Sequence, residues 1–160
     1  MPTVQQVMRP NVVTVPRDRP VREVAYLLVA KRISGVPVVN GDNVLMGVLS
    51  LNDIVKHTVG SGTAASSYYF EFEELSDLGV RQESLQDISL EALAGDLMTG
   101  TCFTVERSAP LLEAVDLMME QRIHRVIVTD QGRVVGILTT TDLMKCLRDQ
   151  LAAMKGPAPA

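Results

Sequence analysis

The chain is poor in the residues from which metal and redox sites are built. Its 160 residues include two cysteines and two histidines. Cys102 and Cys146 form no CxxC pair, and neither has a histidine close to it in the sequence. Structural zinc sites and dithiol redox motifs depend on such spacings. We therefore expect no bound metal, and the scarcity of cysteine motifs fits a reduced, cytoplasmic setting.

Clusters of basic residues and long apolar runs are missing as well. The 15 Lys and Arg residues are scattered, and together with 19 Asp and Glu residues they give a net charge of −4. Duplex nucleic acid is bound mainly through basic patches. No apolar run approaches the ~20 residues of a membrane-spanning helix, and the amino terminus lacks the pattern of a signal peptide. We expect neither duplex nucleic acid nor a membrane as a partner.

Catalytic signatures are absent from the sequence too. It contains no Ser/His/Asp series, no cluster of metal ligands and no glycine-rich phosphate loop. An active site requires a nucleophile or an acid and base pair held in one place. The pattern therefore favours a binding or structural role, and we predict that the protein is not an enzyme.

What the sequence does contain is an internal repeat. Met8 matches Met98 at an offset of 90 residues, and after a hairpin turn the offset becomes 89, so that Gly47 matches Gly136. Two copies are too few for a solenoid, and they indicate a duplicated pair instead. Further matches are Thr14 with Thr104, Arg17 with Arg107, Pro20 with Pro110, Arg32 with Arg122, Val36 with Val126, and Lys56 with Lys145.

The most informative matched segments are Gly47–Asp53 and Gly136–Asp142. Each is a glycine, two apolar β-formers, a hydroxyl residue, two spacers and an aspartate, followed by an apolar helical pattern. The pattern predicts a strand that ends where a helix begins. The hydroxyl residue, Ser50 or Thr139, would cap the first turn, and the aspartate would be stabilised by the positive field at the helix start. A plain capping box has the same pattern, so a purely structural interpretation stays open.

Each copy predicts the element order β-α-β-β-α after a short lead-in helix. Apolar residues recur at helical spacing after Pro20 and again after Pro110. Two β-prone runs then flank a turn, which is Asn40-Gly41-Asp42-Asn43 in the first copy and Asp130-Gln131-Gly132 in the second. The pattern therefore predicts that both copies have the same fold.

Between the copies lies a segment of different composition. It begins as a Gly/Ser-rich connector and continues with four of the six aromatic residues, between Tyr68 and Phe72, and with acidic residues. These aromatics either pack locally or form a docking surface. We divide the chain into repeat 1 at 1–59, a flexible acidic and aromatic insert at 60–89, repeat 2 at 90–154, and a disordered tail at 155–160.

The order of these motifs, present twice, resembles the tandem cystathionine-β-synthase (CBS) domain pair, or Bateman module. The resemblance covers roughly residues 3–58 and 90–148. It implies an α/β (α+β) fold of two β-α-β-β-α units that pack through their sheets about a pseudo-twofold axis. It also implies two clefts between the repeats, which in this family often hold adenosine-containing ligands. The motifs that carry it are Val7-Met8, Val12 to Val15, Arg32 to Val39, Gly47 to Asp53, Leu97-Met98, Arg122 to Val128, and Gly136 to Asp142.

The resemblance also assigns roles to residues of the two clefts. The family's aspartate typically binds the ribose hydroxyls and its hydroxyl residue lies near the phosphate. A carboxylate accepts hydroxyl hydrogen bonds well, and a helix start attracts phosphate. The Asp142 cleft is expected to contain Val13, Ile33, Ser34, Arg125, Ile137, Thr139, Thr141 and Asp142. The Asp53 cleft is expected to contain Val48, Ser50, Asp53, Phe103, Ile123 and His124.

The two expected clefts differ in one cation. Arg125 corresponds to Gly35 in the first repeat, so the Asp53 cleft lacks this positive charge. A phosphorylated ligand is therefore expected at Asp142 in preference to Asp53. The neighbouring His124 fits either a satisfied polar residue or a contact at the rim of a cleft.

Two functions remain open on the sequence alone. One is a regulatory module that binds AMP, ADP, ATP or S-adenosylmethionine, requires no cofactor and acts on an unknown regulated protein. The alternative is a structural dimerisation or docking module without a small-molecule ligand. Broad apolar arcs on the predicted helices Val21 to Lys31 and Leu111 to Met119 favour a homodimer, packed either head to head or head to tail.

Overall fold

The structure is a computed structural model that describes residues 1–59 and 91–154. The predicted insert at 60–89 and the predicted tail at 155–160 lie outside the described residues. Within the described ranges the predicted order β-α-β-β-α occurs twice, each time after a short lead-in helix, which confirms the predicted mixed α/β fold. The elements are α1 (Val4–Val7), β1 (Val15–Pro16), α2 (Val21–Lys31), β2 (Gly35–Val39), β3 (Leu45–Ser50), α3 (Leu51–Val59), α4 (Ala94–Leu97), β4 (Thr104–Glu106), α5 (Leu111–Gln121), β5 (Arg125–Asp130), β6 (Arg133–Thr139) and α6 (Thr140–Met154).

Each copy forms a three-stranded sheet, in the order β1-β2-β3 and β4-β5-β6. The short first strand of each sheet runs parallel to the second, with Val15 opposite Val38 in one sheet and Val105 opposite Val128 in the other. The hairpin β2–β3 is antiparallel, and its register pairs Gly35 with Ser50. Because Arg125 and Thr139 are the matched residues of the other copy, they occupy the equivalent ends of β5 and β6.

The chain divides into two compact units, and the lead-in segments change sides. The Asp142 unit contains Met1–Val12, Phe103–Gln131 and the described part of Val135–Ala160. The Asp53 unit contains the described part of Val13–Cys102 together with Gly132–Val134. The lead-in segment of each sequence repeat therefore packs in the unit that holds the other repeat's sheet.

In both units the lead-in segment extends the edge of the sheet by one antiparallel bridge. Arg9 and Ile137 exchange two backbone hydrogen bonds of 2.8 and 3.0 Å, and Thr99 and Val48 exchange two of 2.9 and 2.8 Å. These bonds satisfy polar groups that an edge strand would otherwise leave unpaired. The bridge also determines which side chain of the lead-in segment lies beside the end of the last strand.

The bridges require a glycine on the edge strand. A Cβ atom on Gly47 would lie 2.7 Å from the Thr99 carbonyl oxygen, and one on Gly136 would lie 3.0 Å from the Arg9 carbonyl oxygen. Such separations are shorter than van der Waals contact. The glycine that begins each matched segment in the sequence therefore allows the close approach of the two backbones.

A hydrophobic core lies in the Asp53 unit, where residues of its sheet and its helices pack together. Val24, Ala25 and Leu28 of α2 are spaced for one face of a helix, and all three are fully buried. Ala94 of the lead-in helix α4 belongs to the same cluster, so the exchanged segment is part of this core. The cluster also includes Val15, Val21, Val36, Val38, Leu49, Leu51 and Ile54.

The substitution Gly47→Ala tests the bridge. We expect it to lower the free energy of unfolding by about 1–3 kcal/mol, the usual cost of forcing an extra methyl group into a packed site. Gly41→Ala is the matched control, because no atom lies within 4 Å of the added Cβ there. Urea unfolding of both variants measures the difference, and equal stabilities would show that the bridge does not constrain Gly47.

Candidate functional site

The matched motif of the second repeat folds into a reciprocal cap at the start of α6. The backbone N–H and the hydroxyl group of Thr139 donate to Oδ2 of Asp142 at 3.0 and 2.7 Å, and the N–H of Asp142 donates to Oγ1 of Thr139 at 3.3 Å. Both side chains are buried, with 9% and 6% of their surfaces exposed. Thr139 at the end of the strand therefore holds the Asp142 carboxylate in place in the first turn of the helix.

The first repeat builds the same cap at the start of α3. The N–H and hydroxyl groups of Ser50 donate to Oδ2 of Asp53 at 3.0 and 2.6 Å, and the N–H of Asp53 donates to Oγ of Ser50 at 3.1 Å. Asp53 and Asp142 are each the third residue of their helices. The predicted equivalence of the two helix starts is therefore confirmed.

The residue before the second strand of each sheet supports the same helix start through its backbone. The carbonyl of Ser34 accepts a hydrogen bond from Leu51 N–H, and the carbonyl of His124 accepts one from Thr140 N–H, each at 2.9 Å. The side chain of Ser34 is buried and that of His124 is exposed. Both residues thus have a structural role that does not depend on the chemistry of their side chains.

The structure adds a residue that sequence reasoning missed. The Nε of Arg9 lies 3.1 Å from Oδ2 of Asp142, and its Nη2 lies 3.4 Å from Oγ1 of Thr139. The bridge to Ile137 places Arg9 at this position. Because the Arg9 side chain is 59% exposed, solvent screening limits this ion pair to about 1 kcal/mol of stability.

Arg9 could not be recognised by comparing the two repeats, because it is not a residue that they share. The matched residue of Arg9 in the second lead-in segment is Thr99, so the comparison of the two copies registers a difference there. The exchange of lead-in segments between units is also needed before Arg9 can be assigned to Asp142. Neither fact follows from local spacing.

The predicted cleft residues are distributed over both units. The Asp142 unit holds eight of them, and the Asp53 unit holds the other six, so each predicted cleft draws on both units and its composition stays a prediction. In the Asp142 unit are Phe103, Ile123, His124, Arg125, Ile137, Thr139, Thr141 and Asp142. In the Asp53 unit are Val13, Ile33, Ser34, Val48, Ser50 and Asp53.

Asp142 also lines a groove within its own unit, between α1 and α6. The groove has a volume of about 440 Å³. Gln6 and Val7 form one side of it, and residues of α6 form the other. The α6 residues are Asp142, Lys145, Cys146, Asp149, Gln150 and Ala153.

The environment of Cys102 disfavours a nucleophilic role for this thiol. Both Cys102 and Cys146 are free thiols. Burial raises the pKa of the Cys102 thiol from 9.0 to about 11, so this residue stays protonated at neutral pH, whereas the thiolate is the reactive form.

Across residues 1–59 and 91–154 no group of three His, Cys, Asp or Glu side chains is arranged to hold a metal ion. In the same ranges no helix has the length and hydrophobicity to cross a membrane.

A comparison with protein families decides the identity of the two repeats. A family model described as "CBS domain" matches residues 4–60 and again residues 94–149. The chain is a pair of CBS domains. The capped aspartates at the two helix starts therefore lie within the family's repeated unit, and the resemblance inferred from the motifs is confirmed.

Similar CBS proteins include both uncharacterised and ligand-bound examples. The chain is 28% identical over 152 residues to the uncharacterised protein MJ1426 of Methanocaldococcus jannaschii, with 90% of each chain covered. It is 31% identical over 128 residues to the chloroplastic CBS domain-containing protein CBSX1 of Arabidopsis thaliana, which covers 78% of this chain and 54% of CBSX1. This chain is also similar to the protein in a crystal structure of CBSX2 in complex with AMP. The two are 28% identical in sequence, with a TM-score of 0.67, and the match covers 92% of this chain and 97% of the CBSX2 chain.

Proposed function

We propose that this CBS pair is a regulatory module that binds an adenosine-type ligand at the Asp142 helix start. The ligand classes that fit are AMP, ADP, ATP and S-adenosylmethionine. The module would act on a regulated protein through ligand binding and not through catalysis. A cytoplasmic setting is part of this proposal and is supported by the two free thiols.

The main support for the proposal is that the two oxygens of the Asp142 carboxylate differ in their hydrogen bonds. Its Oδ2 accepts hydrogen bonds from Thr139 N–H, Thr139 Oγ1 and Arg9 Nε. Its Oδ1 accepts no hydrogen bond from any residue that the structure describes. Oδ1 is open to solvent, and two neighbouring ribose hydroxyls are donors of suitable strength for this charged acceptor.

Two further facts support an adenosine-type ligand. The similar protein CBSX2 has been crystallised in complex with AMP. In addition, the Asp142 unit contains both Arg9 and Arg125, whereas the matched residues in the Asp53 unit are Thr99 and Gly35. We therefore assign the phosphorylated ligand to Asp142, with Arg125, Ile137, Thr139 and Thr141 as further contacts. The contribution of Val13, Ile33 and Ser34 belongs to the same proposal.

The second helix start is proposed as the weaker site. Ser50 and Asp53 reproduce the cap, and Val48 lies on the same strand. Phe103, Ile123 and His124 are the residues that the family pattern adds. Without the two arginines, this site is better suited to a ligand without phosphate, because a carboxylate alone repels an anion.

The substitution Asp142→Ala tests the proposed site. We expect it to weaken AMP binding by about 1.5–3 kcal/mol, the range for hydrogen bonds to a charged group. Asp53→Ala is the matched control, since it removes the same kind of helix cap. Isothermal titration calorimetry of both variants, after thermal melts show that they are folded, measures the difference. An unchanged affinity in Asp142→Ala, or a larger loss in Asp53→Ala, would refute the assignment.

A second candidate function is dimerisation or docking, and one feature of α6 favours it. Met144, Leu147, Leu151 and Met154 recur at intervals of three and four residues, which is the spacing of one helix face. All four are exposed, by 64, 47, 54 and 83% respectively. Leu112 and Met119 of α5 are exposed as well. Apolar faces of this kind commonly mark an interface.

We propose that this α6 face contributes to a homodimer. Sedimentation equilibrium at micromolar concentration is expected to give twice the monomer mass of 17.4 kDa. The variant Leu147→Glu should sediment as a monomer, because a charge would be buried in the interface. The exposed Gln150→Glu on the same helix is the control. A monomeric wild type at every concentration would contradict the homodimer, whichever way the pairs are oriented.

A further inference from the structure

The guanidinium group of Arg9 is only partly engaged by the protein. Two of its nitrogen atoms, Nε and Nη2, contact Asp142 and Thr139. An arginine side chain has five N–H donors in a planar fork. Its third nitrogen, Nη1, makes no hydrogen bond to any part of the chain that the structure describes, and more than half of the side chain is exposed. N–H donors of Arg9 therefore remain available beside the hydroxyl group of Thr139.

The charges at this helix start make the remaining donors significant. Asp142 is a buried carboxylate, and on its own it would repel an anionic group placed next to Thr139. Arg9 offsets that charge at a distance of 3.1 Å. A planar guanidinium also matches the geometry of phosphate oxygens, which it can contact through two parallel hydrogen bonds.

The other unit offers a natural comparison. Thr99 makes the same two-bond bridge to Val48 that Arg9 makes to Ile137, so the backbones arrive equivalently. The side chains differ, and the Asp53 start receives a neutral hydroxyl group where the Asp142 start receives a cation. The two units therefore have equivalent backbones at this position but differ in charge, because Arg9 stands where the other unit has Thr99.

We propose that Arg9 determines the charge preference of the Asp142 site by binding the anionic phosphate group of the ligand. This inference rests on the proposed function, in which Asp142 takes the ribose hydroxyls. Arg9 keeps its contact with Oδ2 of Asp142 and uses its outward donors for the phosphate. The site then selects a nucleotide over the corresponding uncharged nucleoside.

Other roles for Arg9 make different predictions. If Arg9 only positions Asp142, its loss weakens AMP and adenosine by the same factor. If it blocks the carboxylate, its loss strengthens both ligands. A phosphate contact alone changes the ratio of the two affinities, because adenosine has no group for Arg9 to bind.

The test is calorimetric titration of the full chain with AMP and with adenosine. The variants are Arg9→Thr, which copies the other unit, and Arg9→Lys, which keeps the charge. We expect wild-type protein to prefer AMP and Arg9→Thr to bind AMP about tenfold more weakly, equivalent to about 1.4 kcal/mol, with adenosine unchanged. Arg9→Lys should recover part of the preference. Raising the salt concentration should reduce the preference more in wild type than in Arg9→Thr, where Arg125 is the remaining cation.

The outcomes separate this inference from the proposed function. Equal losses for both ligands in Arg9→Thr, or a gain for either, would overturn the phosphate contact while leaving ligand binding intact. If Arg9→Thr proves unfolded, Arg9→Lys carries the test: weaker AMP binding with adenosine unchanged supports the contact, and equal changes for both ligands overturn it. Absence of binding of both ligands to wild type would overturn the proposed function and the role of Arg9 together.

Discussion

A buried carboxylate at the start of a helix is the feature on which the rest of the Asp142 unit depends. Burial penalises the charge unless donors surround it, and the unit supplies them from three directions. The strand end contributes Thr139, the helix contributes its positive end, and the exchanged lead-in segment contributes Arg9. The hydrogen bonds from Thr139 and Arg9 all go to Oδ2, and Oδ1 is the oxygen that we propose for the ligand.

The exchange of lead-in segments gives the duplicated chain a way to differentiate its two helix starts. Gly47 and Gly136 allow the same close backbone approach in both units. The side chain carried by the bridge is then free to change without altering the backbone. Arg9 and Thr99 show such a change, and its consequence is electrostatic, since the capping geometry of the two aspartates is nearly the same.

Much of this arrangement could be predicted from the sequence because it depends on local patterns. Strand, hydroxyl cap and acidic first turn follow one another within seven residues, so the helix starts at Leu51 and Thr140 were predictable. The arginines that end α2 and α5 in the left-handed conformation, Arg32 and Arg122, were not, because glycine is the usual residue there. Arg9 was missed for a different reason. Its partner Asp142 is 133 residues away, and only the tertiary exchange of segments joins them.

We propose that Asp142 and Arg9 act on different parts of one adenosine-type ligand. A crystal structure of the full chain grown with AMP tests this most directly. We predict ribose hydroxyl oxygens within hydrogen-bond distance of Oδ1 of Asp142 and phosphate oxygens beside Arg9 and Thr139. Density for AMP at Asp53 alone, or at Asp142 with the phosphate directed away from Arg9, would show that these two residues do not share one ligand in this way.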